Sequence, residues 1–218
     1  MTLVITATGM QSATITTWMS EINAAVQRHR DRLTQLDAAI GDGDHGTNMA
    51  RGFDAVVAAL DGQGDGLLPG QVLIRTGKTL VATVGGASGP LWGSAFRSAG
   101  RTVGTAAELD GPLLVDALDG ALAGITGLGS AVVGDATIVD ALDPAVRALR
   151  TAVHAGQPLQ RAAAAAAAAA EEGARSTIPL QARKGRASYL GPRSVGHQDP
   201  GATSTALILR ALEATLAR

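Results

Sequence analysis

The chain has 218 residues, enough for one large domain or two small ones, and its 18 Lys and Arg nearly balance its 19 Asp and Glu. This balance gives no electrostatic support for binding to nucleic acid or to an anionic membrane surface. The absence of cysteine excludes disulfides, zinc–thiolate sites and thiol nucleophiles. No apolar run approaches the roughly 20 residues of a membrane helix, and residues 1–10 do not resemble a secretory signal, so we expect a cytoplasmic protein.

Apolar residues recur at three- and four-residue spacing and predict eight helices. Pro144 should kink or interrupt the sixth helix, and Asp199 with Pro200 should cap and start the eighth. No segment alternates like a strand, so we predict an all-α fold with residues 14–218 as one domain and residues 1–13 as an N-terminal extension. The predicted helices cover residues 15–36, 49–60, 72–84, 91–103, 113–125, 137–153, 158–173 and 201–216.

Short connections favour antiparallel, up-and-down neighbours. In that arrangement the connections after the first, third, fifth and seventh helices lie at the same end of the bundle. One rim would therefore hold an acidic loop, two glycine-rich turns and a long basic segment. These connections are residues 39–46, 85–89, 127–135 and 174–198.

The acidic loop contains the most informative residues. Asp37, Asp42 and Asp44 fall within eight residues, and carboxylates so close repel one another unless they are protonated or bridged by a cation. Oxygen ligands of this kind suit Mg²⁺. The alternative is a solvated acidic loop in which Asp44 lies near the N-cap of the second helix.

Three further segments of the same rim are predicted to bind phosphate. Residues 45–48 open the second helix, whose free N–H groups and positive dipole end favour an anion, although His45 could serve only as a cap. The turn at residues 85–90 offers backbone N–H groups and the Ser88 hydroxyl. Arg186 is predicted to make a bidentate phosphate contact, from a basic segment that is either a lid over a nucleotide or a solvated loop.

Four sequence motifs carry a resemblance to a known family: IGDGDHGTN at 40–48, GGASGP at 85–90, GRASYLG at 185–191 and GHQDPGATS at 196–204. Over almost its whole length the chain resembles the ADP-binding L subunit of bacterial, phosphotransferase-system-dependent dihydroxyacetone kinase. That subunit is homologous to the nucleotide domain of ATP-dependent dihydroxyacetone kinases. The resemblance implies a closed barrel of eight antiparallel up-and-down helices with the nucleotide site at one rim.

The resemblance also implies roles for individual residues. Two Mg²⁺ ions would be held by Asp37, Asp42 and Asp44, and no residue of this chain would become covalently modified. Two of the nucleotide contacts, Gly129 and Ile138, would lie near the adenosine. The full set of contacts to ADP or ATP would be His45, Gly46, Thr47, Asn48, Ala87, Ser88, Gly129, Ile138, Arg186, Asp199, Pro200 and Gly201.

The resemblance implies a phosphotransferase that acts on dihydroxyacetone held by a separate K subunit, with a phosphohistidine M subunit recharging the bound ADP. Three alternatives stay open: ATP as an exchangeable donor for another ketose such as erythrulose, a fatty acid substrate, and a non-catalytic nucleotide-dependent regulator of a partner. The length of the chain argues against the fatty acid. A homodimer is also left open, and neither nucleic acid nor a membrane is an expected partner.

Overall fold

The computed structural model describes residues 9–62 and 66–218, which form eight α-helices and one 3₁₀-helix. These residues contain no strand, and Met10 and Leu109 form an isolated bridge. The predicted all-α class is confirmed. Most of the predicted N-terminal extension lies outside the described residues. The helices are α1 (Ser12–Ile40), α2 (His45–Leu60), α3 (Pro69–Thr83), α4 (Ser88–Val103), α5 (Gly111–Gly129), α6 (Ile138–His154), α7 (Leu159–Ser176), the 3₁₀-helix (Arg186–Ser194) and α8 (Pro200–Leu216).

The helices form a closed ring in chain order. Each α-helix packs against the next, and α8 packs back against α1. An aromatic cluster lies inside the ring, with Phe96 about equally far from Trp18, Phe53 and Trp92 at ring-centroid distances of 6.1, 6.3 and 6.1 Å. Connections that follow odd-numbered helices therefore lie at one end, as the predicted barrel requires.

The alanine-rich helix α7 is a close-packed wall of the barrel. Five of its alanines are fully buried, and they recur at helical spacing on one face. Small side chains let α7 approach α6 and α8, which it packs between. The five buried positions are Ala162, Ala163, Ala166, Ala167 and Ala170.

Helix α6 decides between the two effects predicted for Pro144 in one respect. It runs continuously through this residue, so Pro144 does not interrupt the helix. Proline lacks an N–H, which deprives the carbonyl of Asp140 of its partner four residues later. This carbonyl faces Gly173 of α7, where an added Cβ would lie 2.2 Å from the Asp140 oxygen. The proline is thus accommodated where two helix backbones meet closely.

Helix boundaries supply further corrections. The seventh helix was predicted to end near Gly173 but continues to Ser176, because Gly173 serves the contact with α6 rather than a C-cap. The predicted loop at 174–198 contains the 3₁₀-helix Arg186–Ser194, with Gly191 at φ 55° inside it. Helix α4 begins at Ser88, three residues before its predicted start.

Helix α5 is long and apolar enough to cross a membrane by length and composition alone. That criterion is weak evidence, because a helix in the wall of a soluble bundle also satisfies it. Here α5 packs between α4 and α6, and its Asp119 accepts two hydrogen bonds from Arg150 of α6.

Candidate nucleotide and metal site

Three carboxylates converge at the end of α1 and in its connection to α2. One oxygen from each of Asp37, Asp42 and Asp44 lies within 4.8 Å of the others. Asp37 is partly buried, whereas Asp42 and Asp44 are exposed. The set contains only oxygen donors, which matches the preference of Mg²⁺. These residues therefore fit a divalent cation both by spacing and by chemistry.

Asp37 also fixes the start of α2. Its Oδ2 accepts hydrogen bonds from the backbone N–H groups of Asp44 (2.9 Å) and His45 (3.2 Å). Asp44 occupies the N-cap position, but its own side chain makes no capping hydrogen bond. The capping task thus falls to a residue of α1, and the Asp44 carboxylate is left to face the other two.

Two glycines are required by close contacts around these carboxylates. An added Cβ on Gly41 would lie 2.2 Å from Asp37 Oδ1, and one on Gly46 would lie 2.0 Å from the carbonyl oxygen of Arg30. Real Cβ atoms do not approach so closely. Gly41 therefore leaves room for the Asp37 carboxylate, and Gly46 lets the first turn of α2 press against α1.

His45 connects the first turns of three helices. Its Nδ1 lies 3.1 Å from the Ser88 hydroxyl of α4, and its Nε2 lies 3.2 Å from the Ser204 hydroxyl of α8. Ser204 also donates to the carbonyl of Gly201 at 2.9 Å. Burial lowers the pKa of His45, against the opposing charges of Asp37 and Asp44. A neutral imidazole can therefore donate to one hydroxyl and accept from the other.

Ser204 is a site residue that the sequence predictions missed, although it lies in the quoted motif at 196–204. It is fully buried one helical turn after Pro200. Ser204 lies near the start of a helix that begins at the site rim, and this position in the sequence could have identified it.

Asn48 and the glycine-rich turn before α4 meet beside this histidine. The Asn48 side chain is buried, and an added Cβ on Gly85 would lie 3.2 Å from its amide atoms. Arg51, one turn further along α2, donates to Asn48 Oδ1 at 2.6 Å. Thr47 is exposed, and Ala87 is the N-cap residue of α4.

The basic connection between α7 and α8 lies against the acidic loop. Arg186 Nε is 3.0 Å from Asp42 Oδ2. The backbone N–H of Arg183 donates to the carbonyl of Asp135 at 3.0 Å, in the connection between α5 and α6. The first contact brings Arg186, the predicted phosphate ligand, to a predicted metal ligand. The second joins the α7–α8 connection to the α5–α6 connection.

The start of α8 completes this end of the barrel. Asp199 accepts from the backbone N–H of Ala202 at 2.6 Å, which confirms it as the N-cap. Burial raises its pKa to about 7. Pro200 is buried, and an added Cβ on Gly201 would lie 2.9 Å from Ile138 Cγ1. Ile138 of the predicted nucleotide set therefore lies beside α8.

In the described part of the chain, Gly129 does not share contacts with the other residues of the predicted nucleotide-binding set. It is the last residue of α5, and an added Cβ there would lie 3.3 Å from Leu91 of α4. No described contact joins Gly129 to the acidic loop or to α8. The structure thus groups the other predicted residues around α2, α4, α8 and the 3₁₀-helix, with Gly129 along the α4–α5 side.

The fold and the site define a class of protein: an all-helical barrel domain that combines, at one rim, three carboxylates that fit a cation with helix N-termini that suit an anion. Comparison with known families places the chain more narrowly. The model of the DAK2 domain family matches residues 39–214. The chain belongs to the DAK2 domain family.

Similar proteins include complete subunits of about the same length. The chain is 42% identical over 198 residues to the PEP-dependent dihydroxyacetone kinase, ADP-binding subunit DhaL, of Escherichia coli K12, covering 91% of this chain and 94% of that protein. It is 39% identical to the corresponding subunit of kinase 1 of Listeria innocua, covering 89% and 92%. The resemblance predicted from the motifs is confirmed, and with it the membership of a kinase family.

Longer proteins contain a similar unit. The chain is 40% identical to L-erythrulose 1-kinase of Mycolicibacterium smegmatis over 85% of its own length but only 32% of that protein. The crystal structure of the dihydroxyacetone kinase from C. freundii in complex with AMP-PNP and Mg²⁺ matches 98% of this chain and 36% of that one. The TM-score is 0.72 at 27% identity.

Proposed function

We propose that the chain is the nucleotide-binding subunit of a dihydroxyacetone kinase, which holds ADP or ATP with two Mg²⁺ ions at the site rim. It passes a phosphoryl group to dihydroxyacetone bound on a separate K subunit. The observation that carries the proposal is the convergence of Asp37, Asp42 and Asp44 beside the N-terminus of α2, with Arg186 in contact with Asp42. Relatives of matching length that are named ADP-binding subunits support it.

Three kinds of group on this chain are proposed to hold the phosphates and their metal ions. The three aspartates are the proposed Mg²⁺ ligands, and bound Mg²⁺ supplies charge neutralisation for phosphoryl transfer. The backbone N–H groups of Gly46 and Thr47, in the first turn of α2, and the Ser88 hydroxyl are the proposed hydrogen-bond donors. Arg186 adds a cation whose planar fork suits phosphate oxygens. None of these groups needs to form a covalent bond.

The adenosine end is proposed to lie between α5, α6 and α8. Ile138 packs beside Gly201 at the start of α8, which brings two of the proposed contacts together. Asp199 and Pro200 form the cap and first turn of the same helix. Gly129 ends α5, at the other end of the α5–α6 connection from Ile138, and is proposed to contact the nucleoside from there.

Exposed apolar side chains support partner docking at the same rim. Of the eight large apolar side chains that are exposed among the described residues, six lie in the last turn of α5 or in the connections after α5 and α7. Such clustering is typical of protein interaction sites. We propose that the K subunit, and in turn a phosphohistidine M subunit in the cytoplasm, contact this surface. The six are Leu128, Val132, Val133, Ile178, Tyr189 and Val195.

The similarity to L-erythrulose 1-kinase favours a second candidate. In that case the same unit would exchange ATP freely and serve another ketose. The two candidates differ in how the nucleotide is replenished and in the ketose that receives the phosphoryl group.

One experiment separates the candidates. The protein is purified without added nucleotide, and the bound material is released and analysed by chromatography. Retained ADP that gains a phosphoryl group from a phosphohistidine protein supports the subunit of a phosphotransferase-dependent kinase. Fast exchange with ATP, followed by ATP-dependent phosphorylation of a ketose when a K subunit is added, supports the second candidate. Absence of any Mg²⁺-dependent nucleotide binding contradicts both.

A further inference from the structure

We propose that Arg51 is a positioning residue that orients the side-chain amide of Asn48, so that the NH₂ group of Asn48 faces the nucleotide phosphates. This inference rests on the proposed function, because the proposed nucleotide supplies the phosphate that the Asn48 amide would bind. Arg51 itself is not among the predicted contacts. It acts through Asn48 alone.

The guanidinium of Arg51 is held at two points. Its Nη2 donates to Asn48 Oδ1 at 2.6 Å, and its Nε donates to the carbonyl oxygen of Thr83 at 2.9 Å. Thr83 is the last residue of α3, where the negative end of the helix dipole favours a cation. Arg51 therefore spans from α2 to the end of α3, immediately before the glycine-rich turn that opens α4.

This contact settles which way the Asn48 amide points. The two ends of an asparagine amide have nearly the same shape, and the hydrogen-bond network decides between them. A guanidinium has donors and no acceptor, so the Asn48 atom that faces Arg51 must be the oxygen. The NH₂ group is consequently turned away from Arg51.

The NH₂ group of Asn48 has donors to spare. The side chain is buried, with only 6% exposure, yet within the described ranges its Nδ2 makes no hydrogen bond with protein. Gly85 stands against the amide, where an added Cβ would lie 3.2 Å away. Ser88, three residues later, contacts His45, the first residue of α2. The free donors thus lie in the phosphate-binding part of the rim.

The consequence for binding follows from the chemistry of phosphate, which offers only acceptors. With Arg51 in place, Asn48 presents donors. Without it, the amide can rotate and present its oxygen to the phosphate, which is repulsive. A hydrogen bond to a charged group changes affinity by roughly 10- to 100-fold. We therefore expect Arg51→Ala to weaken Mg²⁺–ADP binding by about tenfold or more.

The test is a double-mutant cycle read by calorimetric titration of the full chain with Mg²⁺–ADP and, separately, with adenosine. Arg51→Ala and Asn48→Ala should each weaken Mg²⁺–ADP, while the double variant should bind as Asn48→Ala does. Adenosine affinity should stay within about twofold in all of them, because the phosphates are absent. Arg147→Ala is the matched control, since Arg147 is an exposed helical arginine paired with Asp143 on α6; it should change neither affinity.

Arg51→Lys guards against loss of folding in the alanine variant. It keeps the charge and the helix propensity, but a single ammonium lacks the fork that reaches both Asn48 and Thr83. It should reproduce most of the loss seen with Arg51→Ala. Additive losses in the cycle, an equal loss of adenosine affinity, or full rescue by lysine would each overturn the proposal. Failure of the unmodified protein to bind Mg²⁺–ADP would instead overturn the proposed function and the inference with it.

Discussion

The two ends of the barrel share the same kinds of contact but differ in how many carboxylates hold their connections: several at the site rim, and at the opposite rim, among the described residues, Asp110 at the start of α5. At the opposite rim, Met10 and Leu109 exchange two backbone hydrogen bonds of 2.7 and 2.9 Å, and both side chains are fully buried. At the site rim, carboxylates accept backbone N–H groups: Asp37 at the start of α2, Asp140 from Gly134 at 2.6 Å, and Asp199 at the start of α8.

This difference shows how one fold separates stability from binding. Paired backbone and buried apolar surface at the opposite rim contribute to folding and offer nothing to a ligand. At the site rim, Asp37 holds the start of α2 through Oδ2 while its Oδ1 stays available, and its repulsion with Asp42 and Asp44 disfavours the ligand-free state. Substitutions at the two rims should therefore affect different measurements.

The largest effect is expected from Asp42→Asn at the site rim. The variant should lose measurable Mg²⁺-dependent ADP binding. Changing a residue that only orients a metal ligand lowers metal affinity roughly 10- to 100-fold, and replacing the ligand itself should lower it further. Helix content by circular dichroism should be unchanged, since the Asp42–Arg186 pair is exposed and contributes little to stability.

Asp31→Asn is the matched control for that variant. Asp31 is an exposed carboxylate on α1 that pairs with Arg30 outside the acidic loop. Its replacement removes the same charge and should leave ADP binding intact. Unchanged binding in Asp42→Asn would contradict the metal assignment.

Met10→Ala tests the opposite rim. Deleting this fully buried side chain should lower the free energy of unfolding by about 2–4 kcal/mol, through lost burial and the cavity left behind. Chemical denaturation followed by circular dichroism measures the change. The dissociation constant for Mg²⁺–ADP should stay the same at temperatures where the variant is folded. A comparable loss of affinity would show that the two rims are not independent.

Asp199→Asn should have the smallest effect, visible in the pH dependence of stability. Burial raises the pKa of Asp199 from the ordinary aspartate range to about 7, so the folded state binds this proton more tightly than the unfolded state does. Stability must then fall as pH rises from about 4 to about 7, by roughly 2 kcal/mol after allowance for solvent screening.

The asparagine variant removes that titration and retains an acceptor for the N–H of Ala202. Denaturation curves in metal-free, nucleotide-free buffer at several pH values measure the difference between the two proteins. Equal pH dependence in both would mean that Asp199 has an ordinary pKa in the folded protein.

Periodicity and glycine-rich motifs were enough to predict the eight helices and the shared rim. Predictions failed where a residue has a use that only packing reveals. Gly173 was predicted to end α7, yet it admits the carbonyl of Asp140 that Pro144 leaves without a partner. A local rule cannot distinguish these two uses of glycine.

The candidate site was predictable to the extent that its residues lie in motifs. The structure brings Asp37, Asp42 and Asp44 together and places Arg186 against them. Ser204 was missed because it contacts His45 across helices. Arg51 was missed because its guanidinium, which donates to Asn48 on the same helix, is also held by the carbonyl of Thr83 on α3. Such contacts depend on the orientation of neighbouring helices, which spacing along one helix does not encode.

Asp37 has a consequence for the order in which ligands arrive. Its Oδ2 already accepts from the amides of Asp44 and His45 at the start of α2, so the proposed cation would take Oδ1, in the space that Gly41 keeps open. A divalent ion on Oδ1 would draw electron density from Oδ2 and weaken those two hydrogen bonds. The backbone that receives the phosphate would then respond to the metal first, and amide hydrogen exchange at residues 44 and 45 would report metal loading before any nucleotide is present.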